Sequence, residues 1–116
     1  MHKFILLISF LLIGFGCNSV EKLPQNFLGT WKVNCSDSDD LFVLNVTSQQ
    51  FQFWETIGDI QKIKQISPGV YDINLNLFSE GQQWNASMQY KVVGDKLIQL
   101  ASGELNEITR FRCTNV

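Results

Sequence analysis

Residues 70–92 read VYDINLNLFSEGQQWNASMQYKV, and the reading of this stretch decides the fold. Apolar side chains recur at every second position, first Tyr71, Ile73, Leu75 and Leu77, then Trp84, Ala86, Met88, Tyr90 and Val92. Successive side chains of a β-strand point to opposite faces, so 70–78 and 83–92 are two strands that each present one apolar face. Ser79-Glu80-Gly81 between them is short and polar, which suits a hairpin and hence antiparallel pairing.

The same pattern continues on both sides. Runs of β-branched and aromatic residues at 28–35, 41–47, 51–57, 60–66, 96–101 and 105–113 bring the expected strands to eight. Gly58-Asp59 reads as a two-residue hairpin loop, and in Ser67-Pro68-Gly69 proline and glycine suit the two central turn positions. Gly94-Asp95 and Ser102-Gly103 supply further breaks, and no later stretch carries a capped 3.6-residue period. Alternation assigns Trp31, Val33 and Cys35 to one face, Phe42, Leu44 and Val46 to one face, and Leu105, Phe111 and Cys113 to the inner face of the last strand.

The chain opens differently. Met1-His2-Lys3 is a short cationic start and residues 4–13, FILLISFLLI, are apolar. The run is shorter than the roughly 20 residues a settled transmembrane helix needs, and it fits the apolar region of an export signal. The residues Ile13-Gly14-Phe15-Gly16-Cys17 resemble the lipobox of bacterial lipoproteins, which implies a signal peptide over 1–16 and lipid on Cys17. Ordinary signal cleavage at the same bond is the alternative, since Gly14-x-Gly16 also satisfies the small-x-small rule. Asn18 resembles the outer-membrane sorting pattern of enterobacterial lipoproteins, implying a domain held on the outer membrane and facing the periplasm. Residues 17–26 then read as the lipidated cysteine and a polar tether, and 27–116 as the folded domain.

Three cysteines leave an odd one unless Cys17 carries lipid. Cys35 and Cys113 remain as a pair, and an oxidising compartment favours their cross-linking. Such a bridge places the first strand beside the last, and adjacent first and last strands mean closure. The expected fold class is therefore all-β, a small eight-stranded antiparallel up-and-down barrel, which leaves no unpaired sheet edge between neighbours. In a mature domain of about 100 residues, whose core leaves only a few kcal/mol to spare, a bridge of this span adds roughly 4–5 kcal/mol in the chain-entropy picture.

Phe27-Leu28-Gly29-Thr30-Trp31-Lys32-Val33 resembles the G-x-W opening of lipocalins. The resemblance implies that Gly29 and Trp31 sit at one barrel end, with an arginine of the last strand, Arg110 or Arg112, packed over the tryptophan. It also implies a small apolar ligand at the mouth.

Composition narrows the chemistry. With a formal charge of -2 and no basic stripe, nucleic acid is not an expected partner. His2 is the only histidine and leaves with the signal, so no histidine base, triad or zinc site is expected, and no cofactor or other metal is implied. Ser36-Asp37-Ser38-Asp39-Asp40 lacks the spacing of a calcium loop and reads as a turn with Asx-type hydrogen bonds. Catalytic residues are expected to be none.

One conflict arises from the Gly58-Asp59 hairpin, which pairs Glu55 with Lys62 and Phe53 with Lys64 and so aims both lysines inward. Either a bulge shifts the phase and leaves them solvated, or they meet an acidic ligand whose apolar part lies against Phe51, Phe53 and Trp54. Two functions follow: a non-enzymatic envelope lipoprotein that binds a small apolar or acidic ligand, or one that occupies a protein partner in the manner of an immunity protein or inhibitor. A ligand binder requires an apolar pocket; a protein binder requires a filled barrel with an exposed patch, for which Asp37, Asp39 and Asp40 are candidates.

Overall fold

The computed structural model describes residues 18–113. The expected signal peptide and Cys17 lie outside the described residues. The strands are β1 Asn18–Val20, β2 Gly29–Lys32, β3 Leu44–Val46, β4 Gln50–Phe53, β5 Thr56–Ser67, β6 Val70–Ser79, β7 Gln82–Val93, β8 Lys96–Gln99 and β9 Ile108–Arg112. Each of β2 to β9 pairs with its sequence neighbours, and β9 returns to β2, so eight antiparallel strands close a barrel. β1 adds to the wall outside this ring, against the second half of β5.

The barrel is filled. Trp31, Leu44, Phe51, Ile73, Leu75, Tyr90 and Leu97 are fully buried. Phe51 packs on Tyr90 with ring centroids 5.1 Å apart, and Phe27 meets Tyr71 edge-on at 5.5 Å. Small eight-stranded barrels have room for little more than such side chains.

One end is plugged by the segment before β2. A 3-10 turn, Gln25–Phe27, turns the chain across the opening and buries Phe27, whose carbonyl accepts from Trp31 Nε1 at 2.9 Å. Arg112 lies over the Trp31 ring, 4.2 Å from its centroid, and donates to Leu28 O at 2.9 Å and Asn26 O at 2.7 Å. Gly29 makes room: its φ is +130°, and a Cβ there would lie 3.1 Å from Arg112 Nη1. The backbone conformation strains any other residue, and a Cβ would also make the guanidinium give way by a few tenths of an ångström.

The segment read as a tether belongs to the wall instead. Asn18, Ser19 and Val20 pair with Gln65, Lys64 and Ile63, and Leu23 is buried against the core. Its few apolar residues are enough because β5 outruns β4 and offers an unpaired ladder to cover.

Three further expectations are corrected. Gly58-Asp59 is not a turn but lies inside β5, and the reversal falls at Trp54-Glu55, where Phe53 pairs with Thr56. Gly58 faces inward, and a Cβ would come within 3.0 Å of Leu77 Cδ2 and 3.2 Å of Leu75 Cδ1, so the glycine serves close packing rather than chain reversal. In β9, Arg110 is buried while Phe111 is 41% exposed, the reverse of the hydrophobic alternation. The two arginines win the inner face because each finds carbonyl acceptors there, whereas Phe111 packs outside under Lys96 Nζ at 5.9 Å. Finally, Val33, Cys35 and Phe42 are not wall residues, since β2 ends at Lys32 and β3 begins at Leu44.

The turn at 54–55 stores strain, because Glu55 adopts φ +56° with a side chain that disfavours it. Replacing Glu55 by glycine should raise unfolding free energy by about 1 kcal/mol, the usual cost of a left-handed non-glycine residue. Urea titration of the two proteins measures this; an unchanged or lower midpoint contradicts it.

Candidate functional site

At the end opposite the plug lie the 33–43 connection, the 54–55 and 80–81 turns and the 100–107 connection. The 33–43 segment is the most elaborately fixed. Asp40 organises it: Oδ2 accepts from Asn34 N at 2.9 Å and Oδ1 from Phe42 N at 2.8 Å. Asn34 Oδ1 accepts from Ser36 N, and Asp37 Oδ1 from Asp39 N, the Asx pattern expected of this run. Lys32 Nζ donates to Asp37 O at 3.2 Å. Burial by itself would push the Asp40 carboxyl up, but the backbone donors of Asn34, Phe42 and Val33, helped by the charge of Lys32, hold it below its ordinary value.

Two anchors tie this segment to the barrel. The Cys35–Cys113 disulfide joins it to the end of β9, with Cα atoms 5.5 Å apart. The bridge lies on the outside of the wall, beside the Phe111 carbonyl, rather than inside as the alternation implied. From inside, Arg110 Nε donates to Phe42 O at 2.6 Å and Nη1 to Gln99 Oε1 at 3.0 Å. Tyr90 shares the Gln99 oxygen through its hydroxyl at 3.3 Å. Burial pushes the Tyr90 phenol well above the usual range against the opposing charge of Arg110. Burial also lowers the Arg110 pKa, offset in part by Tyr90 and Asp40.

So fixed, the segment turns apolar side chains to solvent. Val33 is 40% exposed, Leu41 59%, Phe42 54% and the adjacent Trp54 52%. Leu41, Val43 and Trp54 share a groove of about 340 Å³ with Lys32 and Asp39, while Val33 and Phe42 share one of about 250 Å³ with Glu107. Phe42, in the second groove, stands in sequence between Leu41 and Val43 of the first.

The residues expected to hold an acidic ligand are not brought together. Phe51 is buried in the core, Phe53 is half-buried facing inward, and Trp54 stands on the outer surface. Lys62 and Lys64 lie on the outer face of β5, opposite Asn74 and Asp72. An irregularity between Ile60 and Lys62 shifts the phase: Ile60 and Ile63 both face inward, and Gln61 is the extra residue. Among the described residues no group of three histidine, cysteine or acidic side chains is arranged to hold a metal ion.

A second concavity, about 760 Å³, lies between the two hairpin tips at this end. Phe53, Ile57 and Phe78 supply its apolar surface, and Glu55, Glu80, Gln52, Gln82 and Gln83 its polar rim. The sequence signalled neither the buried Arg110–Gln99–Tyr90 cluster nor the anchoring role of Asp40. The identical side of Ile108, Arg110 and Arg112 in a strand was the available clue to the first.

Asp40 gives a pH test. Its pKa is depressed on folding, so its contribution is complete above the ordinary value near 3.8 and fades as pH falls through the folded value. Asp40→Ala should lose about 1–2 kcal/mol at pH 7 through two unpaired backbone donors. The gap between wild type and Asp40→Asn should narrow below pH 3.8 in chemical unfolding; a gap independent of pH contradicts the assignment. No protein-family model matches the chain, and no curated protein or solved structure matches it either.

Proposed function

We propose that this chain is an exported, non-enzymatic envelope lipoprotein, anchored through Cys17, whose lipocalin-like barrel is a rigid support for a protein-binding surface at residues 33–43 and Trp54. The observation that carries the reading is the contrast between a tightly anchored connection and its solvent-facing Val33, Leu41, Phe42 and Trp54. Exposed apolar side chains on a loop held by a disulfide, a buried arginine and Asx turns lose little entropy on docking, which favours affinity. Aromatic residues are the usual energetic centres of such interfaces. Asp37, Asp39 and Glu107 flank the patch and favour a partner whose apolar contact is ringed by lysine or arginine. The filled interior argues in the same direction, because the apolar side chains that would line a ligand chamber pack on one another instead.

The cleft between the hairpin tips supports a second reading. Its carboxylate and amide rim, with no lysine or arginine among the lining residues, suits a neutral or cationic amphiphile rather than an acidic one.

Capture from envelope extracts on the immobilised protein, followed by affinity measurement, separates the two. Trp54→Ala and Phe42→Ser should each weaken a specific complex by about 2 kcal/mol, or roughly 30-fold, as hot-spot truncations do. Asp37→Asn with Asp39→Asn should chiefly slow association and reduce its salt dependence. Thermal unfolding should stay within a degree or two of wild type for the exposed substitutions. Complexes indifferent to all four substitutions overturn the proposal.

A further inference from the structure

β6 and β7 form the longest hairpin, and its tip passes beyond the short strand β8. β8 pairs with Tyr90, Lys91, Val92 and Val93, and the last backbone bond on that side is Leu100 N to Gln89 O at 2.9 Å. Beyond Gln89 toward the tip, β7 is paired with β6 alone among the described residues. Antiparallel pairing directs the amide and carbonyl of alternate residues to the same side. Since Gln89 points toward β8, Ser87, Asn85 and Gln83 point the same way, into the open. Gln82, Gln83, Trp84, Asn85 and Ser87 are all exposed.

This edge lacks the usual defences. Natural sheets blunt exposed edges with lysine, proline or a bulge. Residues 82–90 contain no charged residue and no proline, and the β6–β7 register runs without a shift from Val70–Lys91 to Ser79–Gln82. The comparable overhang, on β5, is covered by β1. The contrast makes the β7 edge a site for strand addition.

The sequence of the edge selects the occupant. In an antiparallel pair of two copies centred on Asn85, Asn85 faces its own counterpart, and Gln83 faces Ser87 of the other copy in both directions. All three are residues whose amide and carbonyl point to this open side, so the Asn85–Asn85 and Gln83–Ser87 pairs are of the hydrogen-bonded kind. On the opposite face Trp84 falls against Ala86 of the other copy, which continues the apolar row Trp84, Ala86 and Met88 across the boundary. No charged residue of β7 falls in this register, so no pair sets like charges against each other.

We infer that β7 is a self-association edge, through which two copies of this chain pair antiparallel about Asn85 to form one continuous sheet. This surface is separate from the 33–43 patch and stands or falls independently of it.

Single cysteines at exposed positions test the register. Hydrogen-bonded partners in antiparallel strands have Cα atoms about 5.5 Å apart, within the span of a disulfide. The full chain carrying Asn85→Cys, oxidised with glutathione disulfide, should yield a disulfide-linked homodimer on non-reducing electrophoresis. Ser87→Cys alone should yield at least tenfold less, and should cross-link when mixed with Gln83→Cys. An intact Cys35–Cys113 bridge by peptide mass verifies folding in each case, and all three substitutions lie on the exposed outer side. Equal cross-linking at every position, none at any, or a link from Asn85→Cys to another protein or to residues 1–17 overturns the inference.

Discussion

The meeting of β2 and β9 is the constraint on which the rest depends. This seam has two registered pairs, Trp31 with Arg112 and Lys32 with Phe111, and it is the join that turns a sheet into a barrel. So short a ladder has little strength by itself. It is reinforced on the inside by the Arg112 guanidinium stacked on Trp31 and bonded to two carbonyls of the plug. Cys113 N donates across the seam to Thr30 O at 3.1 Å, and Arg112 N ties the other side of β9 to Asp95 O of the β7–β8 turn at 2.8 Å. On the outside the Cys35–Cys113 bridge fixes the same two chain segments. Opening this seam exposes Trp31 and Phe27, uncaps one end and releases the base of the 33–43 connection.

Closure at one end explains how the other end can be specialised. A buried arginine with no carboxylate bonded to it is costly unless its donors are met. Arg110 meets this condition by gripping the Phe42 carbonyl and the Gln99 amide oxygen. The cost of burial is thus offset only when the 33–43 connection is seated. The arrangement couples interior packing to surface geometry, so the exposed side chains of Phe42 and Leu41 are held where they are by a charge beneath them.

The sequence was legible where local pattern and tertiary demand agree. The alternation of 70–77 and 84–92 located the β6–β7 hairpin, and Pro68-Gly69 located the turn before it, where Gly69 has φ +77°. Cysteine parity identified the bridge, and with it closure. Legibility failed where one residue type serves two purposes. Gly58 gives the same local signal whether it reverses a chain or lets two strands approach, and only the positions of Leu75 and Leu77 distinguish these. Moving the turn to Trp54-Glu55 places a non-glycine residue at positive φ, against propensity, because the inward phase of Phe51 and Gly58 outweighs it. In β9, hydrophobicity favours Phe111 inside, yet stacking on Trp31 and the buried acceptors draw Arg110 and Arg112 there. The polar stretch before the barrel has no periodicity because β1 needs only backbone pairing with β5. The lysine conflict did carry information: it required a phase shift, and the irregularity at Gln61 supplies it.

Native-state hydrogen exchange at the seam tests this account most directly. The amide of Cys113, bonded across the seam to Thr30, should exchange only with global unfolding in the oxidised protein, as slowly as amides in the middle of β6 and β7. Reducing the bridge should release this amide selectively, while the Arg112 amide, bonded to Asp95 on the β8 side, and the β6–β7 amides stay protected. Rapid exchange of the Cys113 amide in the oxidised protein, at rates typical of a frayed strand end, would contradict a barrel held closed by this junction.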